Sequence, residues 1–156
     1  MLRSKQDRKS RTATGSQKRV ARKSGNTVDY KALAEFRLQF RRFLAFSEAN
    51  TRKNNLTSQQ YQALLTIKGL SRSDYHMSVG ELADFLLVKN HTAVGLVDRM
   101  TKSGLLKRFR DSEDGRRILV MLTHKGEQHL SNVAELNWAE LRSRRLALAK
   151  ILKSLS

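Results

Sequence analysis

Leu33, Phe36, Phe40, Phe43 and Leu44 recur along an otherwise polar stretch at the spacing of one helical face, which predicts a first helix at about 29–49. Thr57 followed by Gln60 is a capping box. It opens a second helix, with Tyr61, Leu64, Leu65 and Ile67 as apolar positions and Gly69 as its stop. Residues 70–77 read as a loop. Ser78 and Glu81 repeat the capping box and start a short helix to about Leu86, with Leu82, Phe85 and Leu86 as its buried face. A tight turn at 87–90 leads into a helix at about 91–103, with Val94, Val97 and Met100 facing inward and Gly104 ending it. Residues 105–110 and 118–122 read as strands around a hairpin at 111–117, where Asp114-Gly115 is a turn signal. Thr123 caps a long final helical region carrying Leu130, Val133, Leu136, Leu141, Leu146 and Leu152, with a break near 143–145. The sum is a mostly α protein of six helices and one hairpin, with no internal repeat.

Charge sharpens this picture. Lys and Arg number 31 against 14 Asp and Glu, a formal net charge of +17. Such an excess favours a polyanionic partner, nucleic acid before an acidic membrane surface. Residues 1–27 hold nine of the bases and one acid, Asp7, with few large apolar side chains. That segment cannot offset its ordering entropy by burial, so it reads as a disordered basic arm. The arm either adds phosphate contacts or serves as a solubilising tail. Residues 28–156 form a single domain that is basic without the arm. Cysteine is absent, which excludes disulfides, thiolate metal sites and thiol redox sensing. No apolar run approaches the ~18 residues of a membrane span, and no secretory signal follows the positive N-terminus. The expectation is a cytoplasmic protein without a membrane partner.

Helix, turn, helix and basic hairpin, in that order over 78–123, is how a small protein offers one helix to a major groove and one loop to the flanking minor groove. The start of the second helix carries Lys89, Asn90, His91, Thr92 and Ala93, followed by Gly95 and Arg99. Asn suits adenine, Thr suits a thymine methyl group, and Lys or Arg suits guanine or phosphate. Gly95 leaves room for close backbone approach, or alternatively for close helix packing. At the hairpin tip, Arg116 and Arg117 suit the negative potential of a narrow minor groove. Asp111 and Asp114, which phosphates would repel, instead shape the turn and orient the arginines. The four histidines offer no metal-ligand spacing, since His124 and His129 lie five apart and His76 and His91 stand alone. No cofactor is expected. No nucleophile–base pair or glycine-rich phosphate loop stands out, so an enzyme is not expected.

The residues Ser78-Val79-Gly80-Glu81-Leu82-Ala83, Thr92, Leu96-Val97-Asp98-Arg99-Met100 and Gly104-Leu105-Leu106 resemble the MarR family of winged-helix transcription regulators. So does the wing Asp111-x-x-Asp114-x-Arg116 ending in Val120-x-Leu122-Thr123-x-x-Gly126. The likeness extends over about residues 30–155. The chain departs from the pattern at His91 and Ser112, where many members carry proline, and at Gly115, where many carry arginine. The resemblance implies a winged helix-turn-helix with a two-strand wing at 57–122, flanked by N- and C-terminal dimerisation helices at 29–49 and 124–156. It implies a homodimer on a pseudo-palindromic operator of double-stranded DNA, often a repressor released by a small aromatic or anionic effector. Phe36, Trp138, Leu141 and Leu146 are then the candidate dimer contacts, and Phe40, Phe43, Tyr61 and Leu64 the candidate effector pocket. The rival reading is a winged-helix module that binds nucleic acid without sequence preference, driven by the basic arm.

Overall fold

Side-chain caps set four of the six helix starts among the described residues. The computed structural model describes residues 28–72 and 75–153, so the arm expected at 1–27 lies outside the described residues. Asp29 accepts from the Ala32 N–H and opens α1 (Tyr30–Lys53). Both anticipated capping boxes form, at Thr57/Gln60 ahead of α2 (Ser58–Leu70) and at Ser78/Glu81 ahead of α3 (Val79–Phe85). Thr123 accepts from the Gly126 N–H and opens α5 (His124–Ser143). Each such cap stabilises its helix by about 1 kcal/mol. The remaining helices are α4 (Asn90–Lys102) and α6 (Arg145–Lys153).

Three helix ends use the same device with different residues; after α1 it is Asn55 at φ 56°, with Leu56 N–H donating to the Thr51 carbonyl and Asn55 N–H to that of Arg52. After α4, Gly104 takes φ +74°, Leu105 N–H donates to the Met100 carbonyl and Gly104 N–H to that of Thr101. This is a Schellman stop. After α3 the same bonds form from Val88 to Ala83 and from Leu87 to Asp84, yet the left-handed position is held by Leu87 at φ 54°. A leucine there costs roughly 1–2 kcal/mol, and at 93% exposure its side chain recovers nothing by packing.

Gly69 is not the stop of α2. The helix runs through it to Leu70, and the chain leaves at Ser71 in an extended conformation with ψ 147°. The chain leaves without a left-handed residue and runs extended into the Arg72–Tyr75 bridge. Nor is 70–77 wholly a loop. Met77 is fully buried, its carbonyl accepts from Val120 N–H at 2.9 Å, and Ser78 bridges Leu119. The chain thus adds a short third rung beside the antiparallel pair β1 (Leu106–Arg110) and β2 (Ile118–Leu122), where Leu106 faces Leu122 and Arg110 faces Ile118.

The core gathers Leu64 and Ile67 of α2, Leu82 of α3, Val97 and Met100 of α4, Leu106 and Val120 of the hairpin, and Leu130 and Val133 of α5. Two inward assignments fail. Phe85 is 56% exposed, because the α3 face that meets the core is Val79, Leu82 and Ala83, and Phe85 falls on its flank. Val94 is exposed, because Ala93, Leu96, Val97 and Met100 form the inner stripe of α4.

The helices flanking this head meet through polar groups. Asn50 of α1 donates to the Val133 carbonyl at 3.1 Å and to Asn137 Oδ1 at 3.2 Å, and Asn137 donates to Ser47 Oγ at 2.8 Å. All three residues are buried. Buried polar groups tolerate few alternative pairings, so this network sets how α1 lies against α5. The break between α5 and α6 falls at Arg144, within the expected 143–145. There the guanidinium bonds Glu140 on one side and Gln39 of α1 on the other.

Candidate nucleic-acid interface

The turn after α3 projects α4 so that one of its faces is open. Asn90, His91, Val94 and Arg99 are exposed, and Gly95 and Asp98 are half-buried among them. Lys89 is the N-cap, and no side-chain bond closes this end. Unpaired N–H groups and the positive pole of a helix dipole there suit an anion such as phosphate. Ala93 is fully buried, so it cannot meet a base as anticipated; it lies on the inner stripe that holds α4 to the core. Thr92 is half-buried and faces a small cavity shared with Gln59 and Gln62 of α2. Gly95 is not a packing glycine. A Cβ built on it would meet only the tip of Arg99, with Nη1 at 3.4 Å.

Between α4 and the hairpin lies an open cleft of about 310 Å³ lined by Gly80, Asn90, Val94, Asp98, Arg108 and Arg116, among others. Arg108 of β1 pairs with Asp98 of α4 and ties the wing to the helix. Val94, Asp98 and Arg108 join the cleft although none stands among the residues expected to read DNA. The signal for Val94 was available, since Ala93, Leu96, Val97 and Met100 already complete a helical stripe without it. The Asp98–Arg108 pair joins elements whose juxtaposition only the fold supplies.

At the hairpin tip, Asp111 Oδ1 accepts from Glu113 N–H at 2.9 Å and Asp114 Oδ1 from Arg116 N–H at 3.1 Å. The Arg116 side chain is 97% exposed, with Asp114 at 3.6 Å. Arg117 turns the other way. Its guanidinium lies 3.4 Å from both Glu81 oxygens and 3.5 Å from Asp111 Oδ2. Glu81 also accepts from the Ser78 hydroxyl at 2.6 Å and the Ser78 N–H at 2.8 Å. These bonds, the hydroxyl's first, hold its carboxyl down at about 2. The nearby Glu81 carboxylate in turn raises the pKa of Tyr75.

A second cavity, of about 530 Å³, opens among Phe43 of α1, Tyr61 and Leu65 of α2, and Ala134, Trp138 and Leu141 of α5. Of the candidate pocket residues, Phe43 and Tyr61 line it and two do not. Leu64 is fully buried in the core, its Cδ2 facing Gly126 near the start of α5. Phe40 stacks on Phe36 with centroids 6.3 Å apart, on the open side of α1. Phe36, Trp138, Leu141 and Leu146 are all exposed, Trp138 at 62%. Among the described residues no metal-binding cluster occurs, and no helix is long and apolar enough to cross a membrane.

Comparison with known proteins adds an independent line. The model of the MarR family matches residues 54–117, from the start of α2 to the wing arginines. The chain is similar to the transcriptional activatory protein BadR of Rhodopseudomonas palustris, 35% identical over 117 residues that cover 70% of this chain and 64% of BadR. It is similar to the HTH-type transcriptional regulator FarR of Neisseria gonorrhoeae, 27% identical over 81 residues, 52% of this chain and 53% of FarR. The matches therefore span less than two thirds of either relative. In fold it is similar to a mutant of Staphylococcus aureus MepR solved bound to an oligodeoxyribonucleotide. The TM-score is 0.62 and the identity 18%, over 83% of this chain and all of that one.

Proposed function

Because this chain belongs to the MarR family, we propose that it is a sequence-specific DNA-binding transcriptional regulator acting as a homodimer on a pseudo-palindromic operator. One observation carries the reading: an uncapped helix with Asn90, His91, Val94 and Arg99 outward stands beside a wing tip whose Arg116 is almost wholly exposed. The helix has the polar edge a major groove requires, and the arginine has the reach and charge for the minor groove. Lys89 and Thr92 flank the reading positions. Exposed Phe36, Trp138, Leu141 and Leu146 support the dimer, since apolar surface on the three flanking helices α1, α5 and α6 is best hidden by a second copy. Occupying an operator excludes other proteins from it, so repression is the sign that needs no further partner.

The cavity beside Trp138 supports a small effector, and its lining narrows the chemistry. Its polar residues are Asn137 and Glu135, and no basic side chain lines it. An uncharged aromatic compound fits it better than an anion.

The test is enrichment of duplexes from a random-sequence DNA pool by the wild-type chain. A recurring two-fold motif is expected, bound in the presence of competitor DNA and steeply weakened by salt. Asn90→Ala should change the enriched motif, while Arg116→Ala should weaken all sequences alike. If both variants bind as the wild type does, the reading head is misassigned. Binding without any enriched motif would favour the non-specific module instead.

A further inference from the structure

We infer that Glu81 and Arg117 form a clamp that aims the wing, so that Arg117 is a positioning residue and Arg116 alone of the adjacent pair is free to reach DNA. The inference rests on the DNA-binding reading above. The two arginines are neighbours in sequence but opposite in orientation. The Arg116 side chain is 97% exposed, whereas the Arg117 guanidinium lies between two carboxylates. One of these, Asp111, belongs to the wing itself. The other, Glu81, belongs to α3 and is 36 residues away in sequence. A phosphate approaching Arg117 would have to displace both.

Glu81 is a firm anchor for such a clamp. Its carboxylate is held by the Ser78 hydroxyl and the Ser78 N–H independently of Arg117. Ser78 in turn bridges Leu119 on β2. Beyond the backbone pairing of β2 with Met77 and Ser78, two ion pairs join the wing to the helix-turn-helix: Arg108 to Asp98 on the recognition helix, and Arg117 to Glu81 at the start of α3. The backbone pairing fixes the base of the ribbon, and the two ion pairs at different points fix the direction of its outer part. The distance of the exposed Arg116 from the recognition helix is set by that direction.

The two jobs of Glu81 can be separated. Gln serves at the third position of a capping box as Glu does, and this chain already uses Gln60 in that place ahead of α2. Glu81→Gln therefore keeps the helix start and removes the charge that holds Arg117. The experiment measures binding of Glu81→Gln, Arg117→Ala, the double variant and Arg116→Ala to the duplex the wild-type chain enriches, over a series of salt concentrations. Melting curves check that each variant is folded. Glu81→Gln and Arg117→Ala should each weaken binding about fivefold, the scale of a partly exposed ion pair. The double variant should be no worse than either, and the slope of log affinity against log salt should stay as in the wild type. Arg116→Ala should lower that slope by about one.

A slope lowered by Arg117→Ala would make Arg117 a phosphate contact and overturn the clamp. Wild-type affinity in Glu81→Gln, or additive losses in the double variant, would overturn it equally. Failure of Arg116→Ala to affect binding would instead count against the reading head, and a chain that binds no duplex would overturn both.

Discussion

Gly95→Ala should make the free protein more stable and the DNA complex weaker, and the two effects have separate physical origins. Glycine inside a helix costs about 0.8–1 kcal/mol relative to alanine. The new methyl group has room, since Arg99 Nη1 at 3.4 Å is the one atom type it meets and is the end of a flexible side chain. The gain should therefore appear almost in full, raising the melting temperature by about 3 °C. On DNA the same methyl occupies the face between Asn90, Val94 and Arg99. Intruding on a close contact costs roughly 1–3 kcal/mol, or about five- to 150-fold in affinity. Thermal melting of the free chain and a binding isotherm on its enriched duplex measure the two numbers. Raised stability with unchanged affinity would refute close backbone approach at Gly95. Lowered stability would refute the claim that the position is open in the free protein.

Gly126→Ala should do the reverse of a helix-stabilising change. Its Cβ would stand 2.2 Å from the Leu105 carbonyl oxygen, which already accepts from Thr123 N–H, so the melting temperature should fall by several degrees. Gly69→Ala, with nothing near its Cβ, is the internal control and should raise it. Leu87→Gly should stabilise by about 1 kcal/mol, since the exposed leucine is in the left-handed conformation, and urea denaturation reads this directly. Glu81 is depressed from 4.5 to about 2, so its contribution is complete above 4.5 and is lost as pH falls toward 2. Denaturation midpoints across that window should drop more for the wild type than for Glu81→Gln. Leu141→Arg should convert a dimer to a monomer in light scattering and lower operator affinity at least about a hundredfold, because one head then binds alone.

The order of elements was legible in the chain because it depends on local chemistry. Capping boxes at Thr57 and Ser78, a cap at Thr123, a left-handed glycine at 104 and Asp-Gly in the hairpin act within four or five residues. Helical period marked most of the core for the same reason. Local signals failed where a neighbouring element decided the outcome. Gly69 has the composition of a stop but sits inside a helix that runs on to Leu70, and Met77 is buried in a core to which β2 and the helices all contribute. Ala93 stands among reading residues in sequence, yet a helix has an inner face and Ala93 is on it.

By itself the sequence determined the winged helix-turn-helix, its basic character and the short list of residues at its tips, since these follow from periodicity, caps and charge. The tertiary structure alone decided which of those residues are free. Arg116 and Arg117 are chemically identical and adjacent, and only the arrival of Glu81 from α3 makes one a strut and leaves the other exposed. The buried network of Ser47, Asn50 and Asn137 ties α1 to α5, and burial in the core keeps Leu64 out of the cavity that Tyr61 lines. Contacts between elements distant in the chain have no local signature, because their partners come together only after each element has formed.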